Sequence, residues 1–186
     1  MSAIHEAFTE RDLVIVQGAS GQGKSTLAYR YLHDYYPESF VYCIAPLTDP
    51  KQVLNIAQAI RALARPLAQA FVVYVDVAPG DQHWVGLCRQ LSGIANCRVL
   101  VTIREEDLRR SASIGEFVTA AQLSLQFTAA EAELLFAQLE AVAPVPHFLN
   151  FKDAWSRFGG EGPLLEFVYL LRQGELLKER LTTQLQ

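Results

Sequence analysis

The chain has 186 residues, a formal net charge of −4 and 51% hydrophobic residues, which fits one globular domain or one domain with a small appendage. The acidic balance argues against a surface dedicated to nucleic acid. No apolar run approaches the roughly 20 residues of a membrane span, and the first residues lack the apolar core of a signal peptide. The three cysteines form no disulfide or zinc pattern, so we expect a cytoplasmic protein.

Apolar, strand-like segments alternate with helix-length segments through the first two thirds of the chain. The predicted strands cover residues 13–16, 40–44, 71–76, 98–103 and 123–127. Among the intervening helices, one begins at Asp49, the expected N-cap, with Pro50 in its first turn. Strands that are apolar throughout indicate a mostly parallel sheet with helices on both faces. We therefore predict an α/β fold of three layers, with five strands and the last one at an edge.

Only helices are predicted after Thr128, which opens a capping box with Glu131. Helices are expected over residues 129–141, 151–158 and 163–186. We place a boundary near Pro144, with one domain over residues 1–143 and a helical appendage over residues 144–186 that resembles the start of a truncated domain. The last helix carries more apolar residues than one face can cover. Either it packs back along the core, or it docks on another domain of a larger chain.

Residues 18–25, Gly-Ala-Ser-Gly-Gln-Gly-Lys-Ser, match the phosphate-loop pattern G-x-x-x-x-G-K-[ST] between the first strand and the next helix. Glycines allow positive φ, so that backbone N–H groups can surround a phosphate, and the helix dipole favours the same anion. Lys24 is expected to reach the β- and γ-phosphates, and Ser25 to bind Mg²⁺. The predicted nucleotide-binding residues of this loop are Gly18, Ser20, Gly21, Gln22, Gly23, Lys24, Ser25 and Thr26.

Two charged residues end neighbouring strands of the predicted sheet. Asp76 closes an apolar strand in the pattern of a Walker B carboxylate, which holds Mg²⁺ beside the phosphate loop. Arg104 closes the next strand and is predicted to sense or stabilise the γ-phosphate. The position after Asp76 is Val77, where many hydrolytic enzymes of this type carry a second carboxylate. Asp81 is the nearby candidate for that catalytic role, although it is equally suited to a plain turn.

With these motifs in order, the chain resembles the STAND class of signal-transduction P-loop NTPases, which is related to AAA proteins and includes NACHT ATPases. It is most similar to the prokaryotic "novel STAND" proteins of large defence and signalling chains. The carriers are the phosphate loop, the strand ending at Asp76, the strand ending at Arg104 and residues 159–167, which resemble the GxP region of that class. The resemblance implies that Arg104 is the sensor arginine and that Pro163 packs on adenine. The absence of an acid at Val77 departs from the class.

The resemblance implies ATP or ADP with Mg²⁺ as the ligands. We predict a regulatory module that hydrolyses ATP slowly, whose nucleotide state gates oligomerisation within a larger signalling or defence protein. Its expected partners are nucleotide, other domains and further copies of itself. Two alternatives stay open at this point. One is a nucleotide-binding scaffold without turnover, and the other is a small-molecule P-loop kinase, in which residues 104–110 would serve as a lid.

Overall fold

A computed structural model of the chain describes residues 2–67, 69–111, 120–143, 145–177 and 180. The strands are β1 (Leu13–Gly18), β2 (Val41–Ile44), β3 (Phe71–Asp76), β4 (Cys97–Arg104) and β5 (Ala121–Ser124). The helices are α1 (Ser2–Glu10), α2 (Lys24–Tyr35), α3 (Pro50–Ala64), α4 (Trp84–Leu91), α5 (Glu105–Arg110), α6 (Ala129–Val142), α7 (Phe151–Phe158) and α8 (Leu164–Gln173). A short 3₁₀ helix, Glu38–Phe40, leads into β2.

The five strands form one sheet in the order β2-β3-β4-β1-β5, and every pairing among the described residues is parallel. β5 lies at an edge, as predicted. In register, Asp76 of β3 lies opposite Thr102 of β4, and Gly18 of β1 lies opposite Arg104. Parallel strands place their carboxyl ends at one edge of the sheet. The predicted site residues at the ends of β1, β3 and β4 therefore lie at the same edge.

Helices cover both faces of the sheet, which gives the predicted three layers and confirms the fold class. On one face, Val53 of α3 and Trp84 of α4 pack into a core with side chains of β3 and β4. On the other face, Ile4 of α1 and Tyr31 of α2 pack against alternate side chains of the same strands. The cysteines are free, and two of them, Cys88 and Cys97, are buried.

The described residues form two compact units by their contacts. The first comprises the residues up to Gly18 and those from Lys24 to Leu125, and thus contains the sheet with α1 to α5. The second comprises Ala19–Gly23 together with the residues from Gln126 onward. Its core is aromatic: the rings of Phe127, Trp155, Phe158 and Phe167 lie within 6.4 Å of one another, centroid to centroid. The predicted domain division at residues 143 and 144 stays a prediction.

The last predicted helix is wrong in length. α8 ends at Gln173, because Gly174 adopts the left-handed conformation (φ 75°) and its N–H bonds the Leu170 carbonyl, which is a helix C-cap. Phe167, Leu170 and Leu171 are buried in the second unit, so α6 and α7 cover much of the apolar surface that appeared in excess. Pro144, Leu181 and Leu185, on which part of the sequence prediction depended, lie outside the described residues.

Candidate functional site

The segment between β1 and α2 has the backbone of a phosphate loop. Gly18 ends β1 and Lys24 begins α2, while Gly21 and Gly23 have φ angles of 77° and 80°. These angles lie in the left-handed region, which glycine enters without the steric cost that other residues incur. The Gln22 N–H donates to the Ala19 carbonyl at 3.4 Å, which tightens the turn. Gly21 and Gly23 are therefore required by the backbone path.

Lys24 is the half-buried first residue of α2. Burial lowers its pKa, and the positive charge of Arg104 lowers it further, whereas the carboxylates of Asp76 and Glu106 act in the opposite direction. Two cations close to the N-terminus of a twelve-residue helix make this end of the first unit favourable for an anion. Arg104 is half-buried at the end of β4, and its predicted sensor role remains a prediction.

Ser25 and Asp76 meet at the carboxyl end of the sheet. The Ser25 hydroxyl donates to Oδ2 of Asp76 at 2.9 Å. Among the described residues, no three His, Cys, Asp or Glu side chains lie together, so the protein alone offers no closed metal cage. Mg²⁺ in nucleotide sites is held by one or two protein oxygens, with phosphate oxygens and water completing its shell. The hydroxyl and carboxylate of Ser25 and Asp76 fit that requirement.

A buried hydroxyl pair behind Asp76 was not predicted from the sequence. The Thr102 hydroxyl donates to Oδ1 of Asp76 at 2.6 Å, and the Tyr74 hydroxyl lies 2.9 Å from Thr102 Oγ1. Both carboxylate oxygens of Asp76 are thus engaged, one by Thr102 and one by Ser25. The only signal in the sequence is a hydroxyl residue within an otherwise apolar strand, two positions before Arg104.

Val77 stands at the usual position of a second catalytic carboxylate, and Asp81 is the nearby candidate for that role. Val77 is buried, and its N–H donates to the Thr102 carbonyl at 2.9 Å. Oδ1 of Asp81 accepts a hydrogen bond from the His83 N–H at 2.7 Å, just before α4. A bond to the backbone two residues on is typical of an Asp in a turn. The catalytic role of Asp81 stays a prediction. Ser20 and Thr26 are exposed residues of the loop and of α2.

Within the second unit, the tip of the phosphate loop is bonded to the start of α8. The Leu164 N–H donates to Oε1 of Gln22 at 3.0 Å, and the Leu165 N–H donates to the Gly21 carbonyl at 3.2 Å. Pro163, the N-cap of α8, provides no side-chain bond, so the loop satisfies N–H groups that a helix start leaves unpaired. The predicted contact of the half-buried Pro163 with adenine remains a prediction.

No protein-family model matches the sequence, and no curated protein matches it either. Solved structures match it in fold. The Walker-type ATPase PABY2304 of Pyrococcus abyssi has a TM-score of 0.60 and 14% identity, with 94% of this chain and 67% of that chain covered. Katanin, in a structure on its self-assembly, has a TM-score of 0.54 and 19% identity, with 87% and 57% covered. Trip13 of Rhizobiales has a TM-score of 0.50 and 18% identity, with 88% and 63% covered.

The chain thus spans less than two thirds of the katanin and Trip13 chains. No helix within the described ranges is both long enough and apolar enough to cross a bilayer. The parallel five-stranded sheet with its flanking helices, together with these matches, shows the fold of the P-loop ATPases.

Proposed function

We propose that the chain binds ATP or ADP with Mg²⁺ at residues 18–26. The bond between Ser25 and Asp76 carries the proposal, because it joins the start of α2 to the end of β3 with the two oxygen ligands that a nucleotide-bound Mg²⁺ requires. The positive-φ glycines and the paired charges of Lys24 and Arg104 add support. Bound Mg²⁺ supplies charge neutralisation at the phosphates. Lys24 holds the phosphate oxygens, and Asp76 fixes Ser25.

Replacing Lys24 tests the proposal. Lys24→Ala removes a partly buried cation that bonds phosphate, a loss typically worth about 2–5 kcal/mol, so ATP affinity should fall by roughly 30-fold or more. Calorimetric titration with ATP in MgCl₂ measures the change. Lys51→Ala, which truncates an exposed lysine on α3, is the matched control and should bind like the parent. If the parent bound no nucleotide, or if Lys24→Ala bound equally well, the proposed site would be wrong.

We further propose that turnover is slow. An attacking water needs a base or a positioning group, and Val77, the position next to Asp76, is buried and apolar. Phosphate release by the parent should therefore be well below about 1 s⁻¹, the low end of typical enzyme rates. Complete absence of release, with binding retained, would favour a nucleotide-binding scaffold. Transfer of the γ-phosphoryl group to a small acceptor would instead favour a kinase.

The regulatory role is proposed from the contacts at the loop tip. Gly21 and Gln22 belong to the second unit and bond the start of α8, so a nucleotide on the loop would act directly on that helical unit. We infer that nucleotide state is relayed to α8, and that the chain is a module of a larger signalling protein of the STAND type. The structural similarity to katanin, described in its self-assembly, supports self-association as the output.

A further inference from the structure

We propose that Thr102 and Tyr74 are positioning residues that hold the Asp76 carboxylate in the orientation required for Mg²⁺. The inference rests on the proposed nucleotide site and extends it to two buried residues of the sheet. Thr102 and Tyr74 are 0% and 1% exposed, whereas Asp76 is exposed at the end of β3. An exposed carboxylate rotates freely unless its neighbours hold it. Here, the neighbours are buried in the sheet.

The direction of each hydrogen bond follows from the number of protons. A threonine hydroxyl has one proton, and a carboxylate only accepts. Since Thr102 donates its proton to Asp76 Oδ1 at 2.6 Å, the Tyr74 hydroxyl must donate to Thr102 Oγ1 at 2.9 Å. The two hydrogen bonds are therefore donated in one direction, from Tyr74 to Thr102 and from Thr102 to Asp76. Tyr74 fixes the rotation of the Thr102 hydroxyl, and Thr102 fixes one oxygen of the carboxylate.

The second oxygen of Asp76 is consequently left for the loop. Oδ2 accepts from Ser25 at 2.9 Å, so the two proposed Mg²⁺ ligands already face each other. The register supports this arrangement, because Asp76 and Thr102 are direct partners on adjacent parallel strands, which keeps their separation constant. Tyr74 is further held in place by the Tyr29 ring, which contacts it edge-on at 5.1 Å. Groups that orient a metal ligand in this way typically change metal affinity about 10- to 100-fold when removed.

The test measures how strongly Mg²⁺ enhances ATP binding. The quantity is the ratio of the ATP dissociation constant in EDTA to that in saturating MgCl₂, measured by calorimetry on the full chain. Thr102→Val keeps the shape and removes the hydroxyl, and it should reduce this ratio about 10-fold while leaving binding in EDTA unchanged. Thr102→Ser keeps the hydroxyl and should restore the ratio to within about 2-fold, and Tyr74→Phe should reduce it by about 3-fold.

Tyr42→Phe is the matched control for Tyr74→Phe, because Tyr42 lies on β2 of the same sheet and packs edge-on against Phe71. It should leave the ratio unchanged. If Thr102→Val weakened binding equally with and without Mg²⁺, the residue would be merely structural and the inference would be overturned. The inference would also be overturned if Thr102→Val left the ratio unchanged while Asp76→Asn abolished the enhancement of ATP binding by Mg²⁺. Failure of the parent to bind ATP at all would instead refute the underlying nucleotide site.

Discussion

Both the backbone conformation and the packing at Gly21 require a residue without a side chain. Its φ of 77° disfavours any side chain, and a Cβ at this position would lie 2.8 Å from the Leu165 Cβ. The loop therefore approaches α8 closely enough that only a hydrogen atom fits between them. A phosphate loop ordinarily needs glycine for its ligand, and here glycine is also required by a neighbouring helix.

Gly21→Ala should therefore destabilise the protein more than strain alone predicts. Gly159→Ala is the matched control in the same unit, because Gly159 has a φ of 92° and a Cβ added to it would meet no atom within 4 Å. We expect a loss of about 1–2 kcal/mol in unfolding free energy for Gly159→Ala, and about 2–4 kcal/mol for Gly21→Ala. Urea unfolding without nucleotide measures both. Equal losses would mean that Leu165 moves aside at no cost.

Among the elements, those with local signals were predicted well. β3 has its predicted bounds, because the change from apolar residues to Asp76 marks where the strand ends. The capping box of Thr128 and Glu131 fixes the start of α6, and both of its bonds are present. The same holds for Asp49 at the start of α3. Such signals need only a few neighbouring residues, so a single sequence contains them.

Elements that depend on distant partners were missed or misjudged. α1 was not predicted, because only Ile4 and Phe8 mark its buried face, and their partners lie in the sheet and on α2. α8 was extended too far for a different reason, because the local stop signal of Gly174 was not used. Thr102 was overlooked because a threonine inside an apolar strand is an ordinary strand former. Its partners, Asp76 and Tyr74, are 26 and 28 residues away in the sequence. Only the register of the sheet shows that these side chains are in contact.

The start of α8 allows a test of the relay from the loop. Gln22→Met keeps the length of the side chain but leaves the Leu164 N–H without its acceptor. Losing a cap of this kind costs about 1 kcal/mol, so the Leu164 and Leu165 amides should exchange with deuterium about 5-fold faster. Gln22→Glu keeps an acceptor and should stay near the parent. The Gly174 amide, bonded to Leu170 at the other end of α8, is the internal reference.

The same exchange experiment with ATP separates a relay from a static contact. In the parent, ATP should slow exchange at the start of α8, and in Gln22→Met this effect should be reduced. Protection by ATP that is identical in both variants would contradict a relay through Gln22. Linkage makes the coupling reciprocal, so Gln22→Met should also change ATP affinity.

At the scale of the whole molecule, the proposed output is assembly. If nucleotide state gates self-association, the ATP-loaded parent should have at least about twice the mass of the ADP-loaded parent, since the smallest assembly is a dimer. Light scattering with each nucleotide and Mg²⁺ measures this mass. Lys24→Ala should have one mass under both conditions. Equal masses for the parent with ATP and with ADP would exclude gating of self-association by this chain alone.

The burial of Val77 also constrains how this protein can evolve. Val77 packs in the core with Trp84 and Leu87, so an acidic residue there would be enclosed by apolar side chains. An unpaired charge in such a place costs several kcal/mol, a large share of the roughly 5–15 kcal/mol that stabilises a typical domain. A single substitution from valine to glutamate would therefore threaten folding before it could accelerate hydrolysis. Selection for faster hydrolysis would first have to remodel this part of the core, so the proposed slow turnover is tied to the packing around Val77.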